Sequence, residues 1–142
     1  MSKVLLILSL FVLNAFAGSF AEQHELSAPF MCVINVNGSH KQYIDTSIND
    51  VSGYVDNDSY LHIKIWEAVV LGNRRMMSLT EYKYEPGITY WRSLSVQNYV
   101  NNIPYGDRMS SKDFDPIIPG TEASTTAMLS LLLYTTKIDK LK

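Results

Sequence analysis

The chain of 142 residues holds a single cysteine, Cys32, so no intrachain disulfide can form. Stability must come from packing, from a bound ion or from a partner. Cys32 lies inside the apolar run Phe30–Val36, where a thiol packs as a small hydrophobe, and no adjacent base or helix start stands ready to activate it. Basic clusters are missing too. Arg74-Arg75 is the densest, and at a formal net charge of −2 the chain has no electrostatic means of holding nucleic acid or an anionic membrane. Apolar runs fall short of the roughly 20 residues that a bilayer demands, so no transmembrane anchor is expected. Standard catalytic signatures are also absent: there is no glycine-rich phosphate loop, no H-E-x-x-H, no G-x-S-x-G and no C-x-x-C. No cofactor is implied, and no motif selects a catalytic residue.

What is present begins with Lys3 and an apolar run, Val4–Val12, interrupted only by Ser9, after which come Asn14 and Ala15-Phe16-Ala17. A positive start, a short apolar core and small residues one and three positions before a cut are what signal peptidase reads. Cleavage is expected after Ala17, or after Ala21 with Ser19 as the second small residue. Residues 1–21 are thus read as a signal peptide and 22–142 as a single β domain, exported to a periplasm or secreted. Lys3 is the only charge in the leader, so its removal takes the net charge from −2 to −3. No cysteine stands next to either cut for lipid attachment.

Turn chemistry organises the rest. Phe30–Val36, Asn37-Gly38 and Ser39–Ile44 read as a two-residue hairpin, because Asn-Gly tolerates the positive φ that such a turn demands. That register sets Val36 opposite Ser39, Ile34 opposite Lys41 and Cys32 opposite Tyr43. From Tyr60 to Trp66 the pattern alternates, with Leu61, Ile63 and Ile65 on one face and Tyr60, His62 and Lys64 on the other, as in a half-buried strand. The run then turns fully apolar through Ala68–Leu71, which suggests a bulge near Glu67 or a more buried end. Gly72-Asn73 predicts a turn, Met77–Tyr84 the returning strand, Glu85-Pro86-Gly87 another turn, and Ile88–Val96 a further strand. Gln97–Thr121, with Pro104, Pro116 and Pro119, reads as a long loop with a short strand around Ile117; loops of that length are often functional. Thr125–Ile138 fits helical spacing at Met128, Leu131, Leu132, Thr135 and Ile138. Its β-branched pairs Thr125-Thr126 and Thr135-Thr136 tilt the reading to a closing strand, with a helix as the alternative. The sum is an all-β fold, an antiparallel sandwich of about six to eight strands.

Three side-chain groups invite a chemical reading. Asp56-Asn57-Asp58-Ser59 opens like a calcium loop, making Asp56 and Asp58 metal candidates, yet it lacks the sixth-position glycine and closing glutamate of an EF-hand. Aspartates that bond their own backbone in turns explain the same residues. The histidines His24, His40 and His62 show no paired spacing that would start a zinc site. Aromatics crowd the middle of the chain, and Tyr60, Tyr82, Tyr84, Tyr90 and Trp91 are candidates for a binding surface that stacks on sugars or anchors a protein. Paired catalytic carboxylates, such as Glu67 with Asp113, would depend on the fold bringing them together. The leading expectation is a non-enzymatic, exported protein-binding or structural domain, using a sheet face or Gln97–Thr121. A carbohydrate-binding module is the alternative and a small hydrolase the third reading.

Overall fold

The computed structural model describes residues 26–142; the leader, both proposed cuts and His24 lie outside the described residues. The strands are β1 (Phe30–Val36), β2 (His40–Asp45), β3 (Ser52–Val55), β4 (Leu61–Leu71), β5 (Arg74–Glu85), β6 (Ile88–Val100), β7 (Ile103–Met109) and β8 (Asp115–Pro116), followed by helix α1 (Glu122–Lys140). All eight strands join one antiparallel sheet in the order β1-β2-β4-β5-β6-β7. β3 pairs with Leu61–Lys64 of β4 while β2 pairs with Glu67–Val70, so two short strands share one edge of a long one. β7 and β8 divide the outer edge of β6 in the same way. The antiparallel β fold is thus as expected. The second sheet of a sandwich is not found among the described residues; α1 covers part of the face it would have covered.

The predicted turns form for the predicted reason. Asn37 and Gly38 take φ of 52° and 72°, and the Ser39 amide donates to the Val36 carbonyl at 3.0 Å. Val36 nevertheless pairs with His40 rather than Ser39, and Ile34 with Gln42, because Ser39 joins the loop. A register shift between Cys32 and Ile34 then restores Cys32 opposite Tyr43. β4 and β5 pair without interruption from Leu61–Tyr84 to Leu71–Arg74, so there is no bulge at Glu67. The apolar run of β4 reflects burial on both faces. Ile63 and Ile65 enter the main core with Ile44, Val51, Tyr82, Leu129 and Leu133. Ala68 and Val70 pack on the opposite face with Cys32 and Tyr43. Cys32, 4% exposed, is the buried thiol the apolar run implied.

Two further sequence expectations are corrected. Residues 122–140 form a helix, not a closing strand, capped by Thr121 and carrying Glu122 in its first turn and Lys137 and Lys140 in its last, the charge order the helix dipole favours. Its threonines and serines do not resist the helix because their hydroxyls bond back to it: Ser130 Oγ donates to the Thr126 carbonyl at 2.7 Å and Thr136 Oγ1 to that of Leu132 at 2.9 Å. The buried stripe is Thr126, Leu129, Ser130, Leu133 and Thr136, while Met128 is exposed. The long loop is likewise shorter than expected. β6 runs on to Val100, positive φ at Asn101 and Asn102 turns the chain, and β7 pairs back on β6.

Candidate functional site

One face of the sheet is a trough, closed at one end by α1 and open at the other. Strand alternation puts Ile63, Ile65, Glu67, Val69 and Leu71 of β4 on this face, matched by Tyr82, Thr80, Ser78, Met76 and Arg74 of β5. β6 extends the row with Trp91 and Ser93 opposite Tyr82 and Thr80, and with Asn98 and Val100 opposite Met76 and Arg74. Tyr105 and Ile103 of β7 complete it beside Asn98 and Val100.

Under the first half of α1 the trough deepens into a cavity of about 320 Å³, walled by β4, β5, β6 and the helix residues Glu122, Ala123 and Thr126. Glu67 belongs to its lining and is 7% exposed. Tyr82 Oη donates to Glu67 Oε1 at 2.5 Å, and Thr126 Oγ1 lies 2.9 Å from the same phenol oxygen. Burial pushes the Glu67 carboxyl above the usual carboxylate range, and bonds from Thr80, Tyr82 and Thr126 draw it part of the way back. Burial and the neighbouring Glu67 likewise push the Tyr82 phenol well up. Ser78 and Thr80 bond each other at 3.1 Å. At the rim, Glu122 pairs with His40 at 2.9 Å.

Beyond the helix the trough opens onto an apolar floor. Val69 and Met76 are shared with the cavity under the helix, and a groove of about 650 Å³ continues over Leu71, Val100 and Tyr105, bordered by Arg74 and Arg75. Leu71, Met76, Ile103 and Tyr105 are 48%, 37%, 67% and 68% exposed. All seven residues of β7 are exposed.

The opposite face carries a second polar group. His62 Nε2 lies 2.6 Å from Asp56 Oδ2, and its Nδ1 faces Tyr54 Oη at 3.2 Å. Tyr54 donates on to Glu81 Oε1 at 2.9 Å, and Arg92 Nε donates to Glu81 Oε2 at 2.5 Å. Phe114 closes over His62 and the Arg92 guanidinium, and Arg92 also donates to the Lys112 carbonyl at 3.0 Å. Glu81 is fully buried, so Arg92 supplies the counter-charge its burial requires. This network straps the 110–114 segment to the sheet.

The sequence candidates separate accordingly. Asp56 and Asp58 do not converge on a cation. Asp56 Oδ1 accepts from the amides of Asp58 and Tyr60 at 2.9 and 3.0 Å, its other oxygen meets His62, and no group of three or more metal-binding side chains occurs among the described residues. The His62 bond holds the Asp56 carboxyl below its ordinary range. Tyr82 is interior, 2% exposed, because α1 covers it, and Tyr84 donates to the Ala127 carbonyl at 2.6 Å. The Tyr82 ring is covered by the helix, and Tyr84 is half-buried. Tyr60 and Tyr90 lie on the other face around Lys83 Nζ, at 5.2 and 5.6 Å, and Trp91 lines the cavity. Glu67 does not meet Asp113, which is exposed. Glu67's place was readable: continuing the alternation of Leu61, Ile63 and Ile65 by two puts a carboxyl on the apolar face. No helix of the described residues is long and apolar enough to cross a membrane. The chain matches no protein-family model, no curated protein and no solved structure.

Proposed function

We propose that the chain is an exported, non-enzymatic domain that binds another protein on the open half of the trough. The observation that carries this reading is the groove floored by the exposed Leu71, Met76 and Tyr105, with exposed Ile103 beside Val100, on the face that α1 leaves bare. Helix α1 shows how the same face is covered a few residues away, and a partner segment with one apolar stripe would continue that layer. Side-chain docking suits the surface better than strand addition along β7. Pro104 has no amide to donate, and Gly106 at φ 73° with a register break between Val96 and Asn98 interrupts the edge. Arg74 and Arg75 border the floor, so acidic flanks on the partner complement the site.

A photo-crosslinking residue placed at Tyr105 should capture one defined partner from the exported proteins, while the same residue at Asp58 should not. Leu71→Glu should abolish the crosslink without changing the circular dichroism spectrum. Capture of nothing at Tyr105, with the protein remaining an inert monomer, would rule the reading out.

A further inference from the structure

We infer that the helix-covered half of the trough binds a small organic cation, an ammonium group carried on a compact apolar or aromatic body. Its cavity of about 320 Å³ is separate from the docking floor except for the shared Val69 and Met76, so the inference goes beyond protein binding. The charged side chains lining it are both acidic, Glu67 within and Glu122 at the helix end, and neither lysine nor arginine is among them. A carboxylate or phosphate ligand would meet only like charge.

Glu67 is the distinguishing group. Its hydrogen bond comes from the Tyr82 hydroxyl, with the hydroxyls of Thr80 and Thr126 close by, and no basic side chain is within ion-pair distance of it among the described residues. The contrast is Glu81 on the other face, equally inaccessible but paired with Arg92. A buried carboxyl without a counter-charge is costly when ionised, and its raised proton affinity is the sign of that cost. A ligand ammonium supplies the missing charge. The remaining lining suits the rest of such a molecule. Val69, Met76 and Ala123 are apolar, and Trp91 brings an aromatic ring able to face a cation. A polyhydroxylated ligand fits less well, because the hydroxyls it would need are engaged with one another or with the helix: Ser78 with Thr80 at 3.1 Å, Thr126 with the Ala123 carbonyl at 3.1 Å.

Titration of the intact protein with benzylammonium, benzyl alcohol and benzoate, followed by amide chemical shifts, separates the alternatives. Benzylammonium should move the amides of Val69, Ser78, Trp91 and Ala123 with a Kd in the millimolar range, as expected of a ligand with about eight heavy atoms. Benzyl alcohol should bind roughly tenfold or more weakly, the worth of one charge-assisted bond, and benzoate should not bind. Glu67→Gln keeps the side chain's size and an oxygen for Tyr82, and should bring benzylammonium down to the level of the alcohol. Ala123→Leu, which fills the cavity from the helix without touching Glu67, should abolish binding of both. The inference is overturned if benzylammonium gives no shifts, if the alcohol binds as well, if the shifts lie on another face, or if Glu67→Gln binds undiminished. If neither variant folds, the comparison of the three probes on the natural protein decides alone. Partner capture at Tyr105 is read independently, so either conclusion can fail without the other.

Discussion

Gly53→Ala should destabilise the fold by about 2 kcal/mol, although glycine-to-alanine exchanges at unstrained positions gain about 0.4–1 kcal/mol by restricting the unfolded chain. The sign turns on how closely α1 is pressed onto β3. A Cβ on Gly53 would lie 2.7 and 2.8 Å from Cζ and Cε2 of Tyr134 and 2.9 Å from the His62 carbonyl oxygen. The ring is the movable part of this contact; the carbonyl belongs to β4, whose His62 sits opposite Tyr54 in the ladder. Relief therefore requires Tyr134 to withdraw from the main core, against which it packs, or β3 to shift from its partner. Forced repacking of this kind costs about 1–3 kcal/mol. For a domain of this size that corresponds to a fall in Tm of very roughly 6–10 °C. Urea unfolding should show a lower midpoint at unchanged slope. In a Tyr134→Ala background the ring is gone, and the alanine penalty should shrink by about 1 kcal/mol through coupling between the two sites. A Gly53→Ala midpoint at or above that of the natural protein would refute the close approach. An undiminished penalty in the Tyr134→Ala background would refute the part assigned to the helix.

Two further outcomes concern the buried carboxyls. Because burial raises the Glu67 carboxyl above the ordinary glutamate value of 4.5, the native state holds its proton more tightly than the unfolded chain does. The corresponding stability is complete below about pH 4.5 and is lost as pH rises through the folded value, so Glu67→Gln should gain on the natural protein across that window. Thermal melts between about pH 4 and pH 7 check this, and parallel curves would contradict it. Arg92→Ala leaves the fully buried Glu81 without its cation, and should cost about 3 kcal/mol by chemical denaturation. Adding Glu81→Gln should return part of that loss; no recovery would mean that Arg92 acts through packing on Phe114 instead.

The candidate site was half legible before folding. Extending the period-two pattern of β4 through Glu67 puts a carboxyl among apolar neighbours, and that is where the cavity lies. The aromatic candidates were less legible. Tyr82 and Tyr84 do share a face, but a sheet face is a binding surface only if nothing covers it, and α1 packs on this one. Ile103 and Tyr105 lay in a stretch whose prolines and asparagines suggested a loop. Their exposure on a strand follows from β6 running longer than its local pattern indicated.

Features set by sterics within a few residues were determined by the sequence by itself. Asn37-Gly38 and Gly72-Asn73 reverse the chain because positive φ is cheap there, and alternating side chains make β4 two-faced. Tertiary structure decided the rest. Thr125–Ile138 carries both helical spacing and β-branched residues, and the balance falls to helix because Leu129 and Leu133 find a sheet to pack on while the buried hydroxyls bond back to their own turn. The partners of Glu67 come from β5 and from a helix far along the chain. No local preference records which distant segment closes over a strand, since that is set by which apolar faces are left to bury once the sheet has formed.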